Sequence, residues 1–333
     1  MKLSSIGEFG LIEEYIAPEF KNLIQKHMTG IGDDCAIIPV GKTTSHLFTT
    51  DMLIEKTHFL REKITPFQLG FKSLAVNLSD IAAMGGKPVS SFLSVGFPED
   101  INIKWVEEFM RGYKDLSQKE NTPLLGGDTT KSEDKIIINV GVTGEIQNGK
   151  IKRRNGAKEG DIICVTNTLG DSAGGLQCIL NNIRISESNQ KLFDQHLTPY
   201  PHVKEGQWLA EKEEVHAMID TSDGLSSDLM HILKASNARA HIDVEKIPMT
   251  KELIDTAERY NWNSLEMAVS GGEDYGLLLT IDRNAFSSIK KAFIREFQKE
   301  LFPVGEIVTG EPKIQYLKEN KPIEDIRSGY RHF

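Results

Sequence analysis

The chain has 333 residues, 39% of them hydrophobic and 26% charged, with a formal net charge of −9. That length exceeds the size at which one core stops growing, so two globular domains are expected, and no apolar run is long enough for a membrane span. The negative charge argues against nucleic acid as a partner, while it suits a protein that gathers cations before meeting polyphosphate. The opening Met1-Lys-Leu-Ser-Ser lacks the apolar core of a secretion signal, and a cytoplasmic location is expected. Cys35, Cys164 and Cys178 are odd in number and lack C-x-x-C spacing, which indicates neither a disulfide frame nor a zinc site.

Gly30-Ile-Gly-Asp-Asp34 is the first of five acidic clusters set among glycines or small hydroxyl residues. The others are Thr49-Thr-Asp51, Asn77-Leu-Ser-Asp80, Gly126-Gly-Asp-Thr-Thr130 and Asp220-Thr-Ser-Asp-Gly224. A hard dication takes carboxylate oxygens together with waters and phosphates, and glycine lets backbone N–H groups approach a phosphate. One such cluster is ordinary turn chemistry. Five of them read as a magnesium and nucleotide-phosphate site. Ala36-Ile-Ile-Pro-Val-Gly-Lys-Thr43 imitates the end of a P-loop, but an alanine replaces the first glycine and bulky residues fill the turn, so a hairpin is expected.

His46 to Asp51 reads as a strand that delivers polar residues to a site. The clearest helix runs from Pro66 to Met84, capped by Thr65 and ended by Gly85-Gly86. Phe67, Phe71, Leu74, Leu78 and Ile81 form its apolar stripe, with Ser73, Asn77 and Asp80 on the adjacent one. A second helix, Ile103 to Lys119, turns Trp105, Val106, Phe109, Tyr113 and Leu116 inward, and a short strand, Thr122 to Leu125, then runs into Gly126-Gly-Asp128. An apolar strand from Ile136 to Ile146 precedes a basic, glycine-bearing stretch, which places the domain boundary between residues 148 and 149. Beyond it, strands at 162–165, 217–220, 240–243 and 275–280 alternate with helices at 172–181, 225–236 and 251–260. The fold class is therefore α/β (α+β), two domains in series.

These clusters, in this order, resemble the thiamine-monophosphate kinase family, in the superfamily of aminoimidazole ribonucleotide synthetase and selenophosphate synthetase. The resemblance rests also on His58-Phe59, on the run Leu74-Ala-Val-Asn-Leu-Ser-Asp-Ile-Ala-Ala-Met-Gly85, on Gly170-Asp-Ser-Ala-Gly174, on Ser270-Gly-Gly-Glu-Asp-Tyr275 and on Gly329-Tyr330. It implies ATP-dependent phosphorylation of thiamine monophosphate to thiamine diphosphate. It also implies a homodimer whose N-terminal domains, residues 1–148, share a β-barrel and bind most of the nucleotide, with an α/β domain, residues 149–333, completing the site. By matching motif, Asp34, Thr49, Thr50, Asp51, Asp80, Asp128, Asp220 and Asp223 are implied as ligands, or close supports, of several magnesium ions, with Asp51, Asp80 and Asp128 closest to the chemistry. Gly127 and Asp128 would line the ATP phosphates, Arg154 would pair with phosphate, Ser222 would bond the nucleotide and Tyr113 would stack on adenine, although its periodicity favours the core. His58, Glu273 and Tyr330 would face thiamine monophosphate.

Both reactants are anions, so magnesium must remove their repulsion. A phosphate oxygen already ionised near neutral pH needs no strong general base, and direct in-line transfer is expected. Two alternatives remain: a selenophosphate synthetase-like enzyme, for which Cys35 would have to be reactive, and a non-catalytic nucleotide-binding module.

Overall fold

The computed structural model describes residues 5–323. Short helical turns, α1 (Gly7–Gly10) and α2 (Ala17–Phe20), flank a π-helical stretch, Leu11–Ile16. A five-stranded sheet follows, in the order β1 (Ala36–Val40), β2 (Thr44–Ile54), β5 (Ile137–Gln147), β3 (Lys87–Phe97), β4 (Leu124–Lys131). Neighbours are antiparallel except β3 and β4. Val40 pairs with Thr44, so the Gly-Lys-Thr sequence is the expected hairpin turn and not a phosphate loop.

Helix α3 (Pro66–Ala83) begins on a capping box: Gln68 N–H donates to the Thr65 hydroxyl and the Gln68 side chain reaches back to Thr65, an arrangement worth about 1 kcal/mol. Its stripe of Leu74, Leu78 and Ile81 is fully buried and meets the sheet face that carries Leu47, Leu53, Val140 and Val142. Phe67 and Phe71 at its start are only half-buried, beneath Arg111 and Lys119 of α4 (Ile103–Lys119). Gly70 lies against the Phe109 carbonyl and Gly112 against the Phe67 carbonyl, so that a Cβ on either would overlap backbone. Two glycines thus let the α3 and α4 backbones touch.

The opposite sheet face leaves Phe48, Met52, Val89 and Phe92 exposed. The sheet is open, ending at β1 and β4. One chain therefore does not close a barrel.

The second sheet has seven strands, in the order β12 (Lys321–Pro322), β11 (Lys313–Lys318), β8 (Arg239–Asp243), β10 (Phe302–Val308), β6 (Ile162–Val165), β9 (Leu277–Ile281), β7 (Val215–Asp220). Its inner strands are buried on both faces. Cys164, Met218 and Leu279 join the core that runs beneath α3, whereas Ile163, Ile219 and Leu278 join a second core with Leu225 and Leu229. The helices are α5 (Asp171–Leu180), α6 (Gln190–Leu197), α7 (Val203–Ala210), α8 (Leu225–Ser236), α9 (Lys251–Tyr260), α10 (Ser264–Ser270) and α11 (Arg283–Phe297). Helix α3 touches both β2 and β7, so it stands between the sheets. Among the described residues no helix is long and apolar enough to cross a membrane.

Candidate active site

Period-two alternation along β2 turns Thr49 and Asp51 towards α3, on the face of buried Leu47 and Leu53. There the Thr49 hydroxyl donates to the Asp80 carboxylate, and the Asp51 N–H donates to Asn77 Oδ1 at 3.0 Å. From the other sheet Asp220 arrives at the end of β7, accepting a 2.7 Å bond from Ser79. Asp34 arrives from the segment before β1. Oxygens of Asp34, Asp80 and Asp220 all lie within 4.8 Å of one another. Arg154 pairs with Asp34 at 2.6 Å, and its backbone N–H donates to Asp33 at 3.1 Å.

Carboxylates this close and this dry resist ionisation together. Burial, then the charge of Asp34, raises Asp220 to about 8. Burial, then Asp223, raises Asp51 to about 6. Asp80 is pushed well above the carboxylate range by burial and by Asp51, Asp220 and Asp34. One arginine does not balance this set, and Asp34 Oδ2 is buried without a hydrogen bond. The donors are all hard oxygens, with room for a dication that keeps waters and phosphates as further ligands, so the residues present fit magnesium.

A cavity of about 940 Å³ opens from this cluster. Asp51, Asp80, Ser222 and Asp223 line one end, and His58, Lys72, His196 and Glu273 line it too. Lys72, Val76 and Asp80, at i, i+4 and i+8, lay one stripe of α3 along the wall. His58 is oriented by the Ile54 N–H, which donates to its Nδ1 at 2.9 Å.

Several expected placements need correction. Thr50 points to the opposite face of β2, where its hydroxyl donates to the Val140 carbonyl at 3.1 Å and accepts from Asn139 at 2.9 Å, so its side chain is turned away from Asp80. Tyr113 is 1% exposed in the core between α4 and its neighbours, so its ring is not available to adenine. The Arg154 guanidinium places one Nη on Asp34 at 2.6 Å, while its Nε is buried without a hydrogen bond. Gly127 and Asp128 belong to an exposed edge strand and not to a loop. Asp128 aligns through Ser94 and Asn139 with Met52, three strands from β2 and on the register of its outer face. It lines a separate depression with Met52, Ser94 and Asn139. Tyr330 lies outside the described residues.

Sequence reasoning missed Ser79, Lys72 and His196. Lys72 carried a signal, since it falls on the Asp80 stripe two turns earlier; His196, in a segment without clear periodicity, carried none. Cys35 is buried, and burial followed by the charges of Asp80 and Asp34 pushes its thiol well above the usual range.

Residues 32–146 match the N-terminal domain of AIR synthase related proteins, and residues 158–316 match their C-terminal domain. The chain is 38% identical to thiamine-monophosphate kinase of Buchnera aphidicola over 331 residues, covering 98% of each chain. Against the Escherichia coli K12 thiamine-monophosphate kinase it is 35% identical over 329 residues, again with 98% of each covered. Among solved structures, AaThiL complexed with AMPPCP and TMP superposes with a TM-score of 0.86 at 33% identity, over 100% of this chain and 99% of that one. The thiamine monophosphate kinase of Aquifex aeolicus gives 0.82 at 33% identity, over 98% and 100%.

Proposed function

The chain belongs to the thiamine-monophosphate kinase family, built from two AIR synthase related domains, and on that premise we propose that it transfers the γ-phosphoryl group of ATP directly, in line, to the phosphate of thiamine monophosphate. The observation that carries the reading is the convergence of Asp34, Asp80 and Asp220 from three separate segments, with Asp80 lining the cavity. Magnesium held there would neutralise the charge of the meeting phosphates and of the transferring group. Asp34, Asp80 and Asp220 would hold it, with Asp51 and Asp223 beside them for further ions. Thr49 fixes the Asp80 carboxylate, Asn77 fixes the backbone at Asp51, and Ser79 fixes Asp220. Arg154 orients Asp34 and offsets part of its charge. Ser222 and Asp223 line the same end of the cavity, where nucleotide would enter, and His58 and Glu273 face the space left for thiamine.

Gly127 and Asp128 take part through a homodimer. The bare apolar face of the first sheet, with Phe48, Met52, Val89 and Phe92 exposed, suits burial against a second copy, and pairing two such sheets would build the shared barrel and carry Asp128 towards a partner's nucleotide. Residues 1–148 and 149–333 would then act as the two domains of a cytoplasmic enzyme. Selenophosphate-type thiol chemistry finds no support in Cys35, whose thiol is buried and held protonated.

Purified protein incubated with ATP, magnesium and thiamine monophosphate should accumulate thiamine diphosphate, resolved by chromatography. Nucleotide binding without that product would favour a non-catalytic module and overturn the reading.

A further inference from the structure

Lys72 is 1% exposed on α3, although lysine is almost never buried without a partner. Its ammonium donates to the His196 carbonyl at 2.9 Å and lies 3.1 Å from Glu273 Oε1. The other oxygen of Glu273 lies 3.2 Å from His196 Nδ1, which is also 3.0 Å from Ser172 Oγ. Burial, with the nearby Lys72 charge, lowers His196 to about 4, so the ring is neutral. A neutral imidazole nitrogen beside a carboxylate is the protonated one, and the partners therefore assign the Nδ1–H tautomer.

The backbone beneath Glu273 is held as firmly as its side chain. Glu273 and Tyr275 have φ of 66° and 48°, in the left-handed region that costs non-glycine residues about 1–3 kcal/mol. Glu273 N–H donates to the Ser222 carbonyl at 2.7 Å and Tyr275 N–H to the Thr221 carbonyl at 2.9 Å. Between them the buried Asp274 carboxylate accepts from the Gly170 and Ser172 N–H groups at 2.6 and 3.0 Å. The Asp274 carbonyl accepts from Gln195 at 2.7 Å. Strain over-determined in this way, on a residue whose side chain is still 26% exposed to the cavity, marks a carboxylate aimed at a ligand.

Two α-helical turns separate Lys72 from Asp80, about 12 Å along the axis. Resting on the reading of the site as a thiamine monophosphate kinase, we propose that Lys72 is a positioning residue for substrate specificity. It locks Glu273 so that its remaining lone pairs accept a hydrogen bond from the amino-bearing ring of the substrate, at the end opposite the phosphate. The Lys72 charge cancels that of Glu273, so this end of the cavity does not attract the thiazolium cation by charge. It reads a donor by direction.

The test uses K72M, E273Q and the double variant in the full-length enzyme, with KM for each substrate, kcat and thermal melting measured separately. K72M should raise KM for thiamine monophosphate about tenfold or more, on the scale of a hydrogen bond to a charged group, while KM for ATP stays within about twofold of wild type. An analogue lacking the pyrimidine amino group should bind wild type about tenfold more weakly than the substrate, and E273Q, which keeps one acceptor oxygen and loses the charge, should narrow that distinction. In the double variant KM should equal that of E273Q, because Lys72 acts only through Glu273. The double variant also decides the matter if K72M alone fails to fold, since removing one partner leaves a buried charge unpaired and removing both does not. A double variant far worse than E273Q, equal weakening of both substrates, or indifference of wild type to the amino group would overturn the inference. Wild type that forms no thiamine diphosphate would sink the functional reading itself, a result distinct from any of these.

Discussion

The two ends of the cavity are both buried and both charged, yet their carboxylates respond in opposite directions. At the phosphate end, burial and like charges drive Asp51 to about 6 and Asp220 to about 8, and push Asp80 well above the carboxylate range. At the other end, burial also opposes the Glu273 charge, but the Lys72 ammonium, 3.1 Å away, outweighs it and holds the carboxyl below its usual range. The difference lies in where the counter-charge comes from. Glu273 has the Lys72 ammonium beside it, whereas among the described residues the trio Asp34, Asp80 and Asp220 is met by the Arg154 guanidinium at Asp34, which leaves charge for a bound cation to offset. One end is finished before substrate arrives and the other is finished by it.

The largest expected effect comes from Asp80→Asn, which keeps the helix and the shape but removes a negative charge from the incomplete end. Turnover should fall at least about a hundredfold, the scale of losing an electrostatic contact to the transition state. Near wild-type turnover at saturating magnesium would erase the distinction between the ends.

Ser79→Ala probes the same end more gently by withdrawing the hydroxyl that donates to Asp220 at 2.7 Å. Such supports of metal ligands are worth about 10–100-fold in affinity, so half-saturating magnesium should rise by about tenfold with Mg-ATP held constant. An unchanged magnesium curve would show that Asp220 does not depend on α3.

Stability against pH separates the ends in sign. Asp51 and Asp220 bind protons more tightly folded than unfolded, so their contribution is present in acid and is lost as pH rises through about 6 and about 8. Glu273 does the reverse: its contribution is present above the unfolded carboxylate range and is lost only as pH falls through its lowered folded value. Melting of metal-free protein in chelator should therefore drop between pH 5 and 9, and magnesium at about a hundred times its dissociation constant should restore about 2.7 kcal/mol. A melting temperature that is flat across this range without metal would contradict the counter-charge argument. The smallest effect is expected at Cys35, which neighbours the acidic end without serving it: Cys35→Ser should keep activity within about tenfold, with any loss following the melting temperature. Inactivity in a well-folded variant would reopen thiol chemistry.

Features of α3 that depend on neighbours in sequence were legible in advance. Thr65, Pro66 and Gly85 mark its ends through local capping, and the stripe beside its apolar face already singled out Asp80. The alternation of β2 also held the information that separates Thr50 from Thr49 and Asp51, but the motif was read as a unit and its faces were not. Tyr113 shows periodicity prevailing over motif analogy, since its place on the inward stripe of α4 decided its burial. The Lys72–Glu273 pair joins residues about two hundred positions apart, and nothing in the spacing announces it. Strands β3 and β10 to β12 and helices α6, α7, α10 and α11 went unassigned because their patterns are mixed. The resemblance implied that Gly127 and Asp128 line the ATP phosphates, but a motif does not show that pairing of β4 with β3 carries the expected short strand on through both residues.

Backbone contact between α3 and α4 at Gly70 and Gly112 leaves no side-chain layer that could be compressed or repacked. Helix α3 is thereby a rigid gauge, with Asp80 and Lys72 as its two marks. A ligand whose ring and phosphate are joined by a tether one methylene shorter could seat its phosphate or its ring, and would forfeit contacts at the other mark. Under the proposed function, selection by end-to-end length would then rest on two glycines that do not line the cavity.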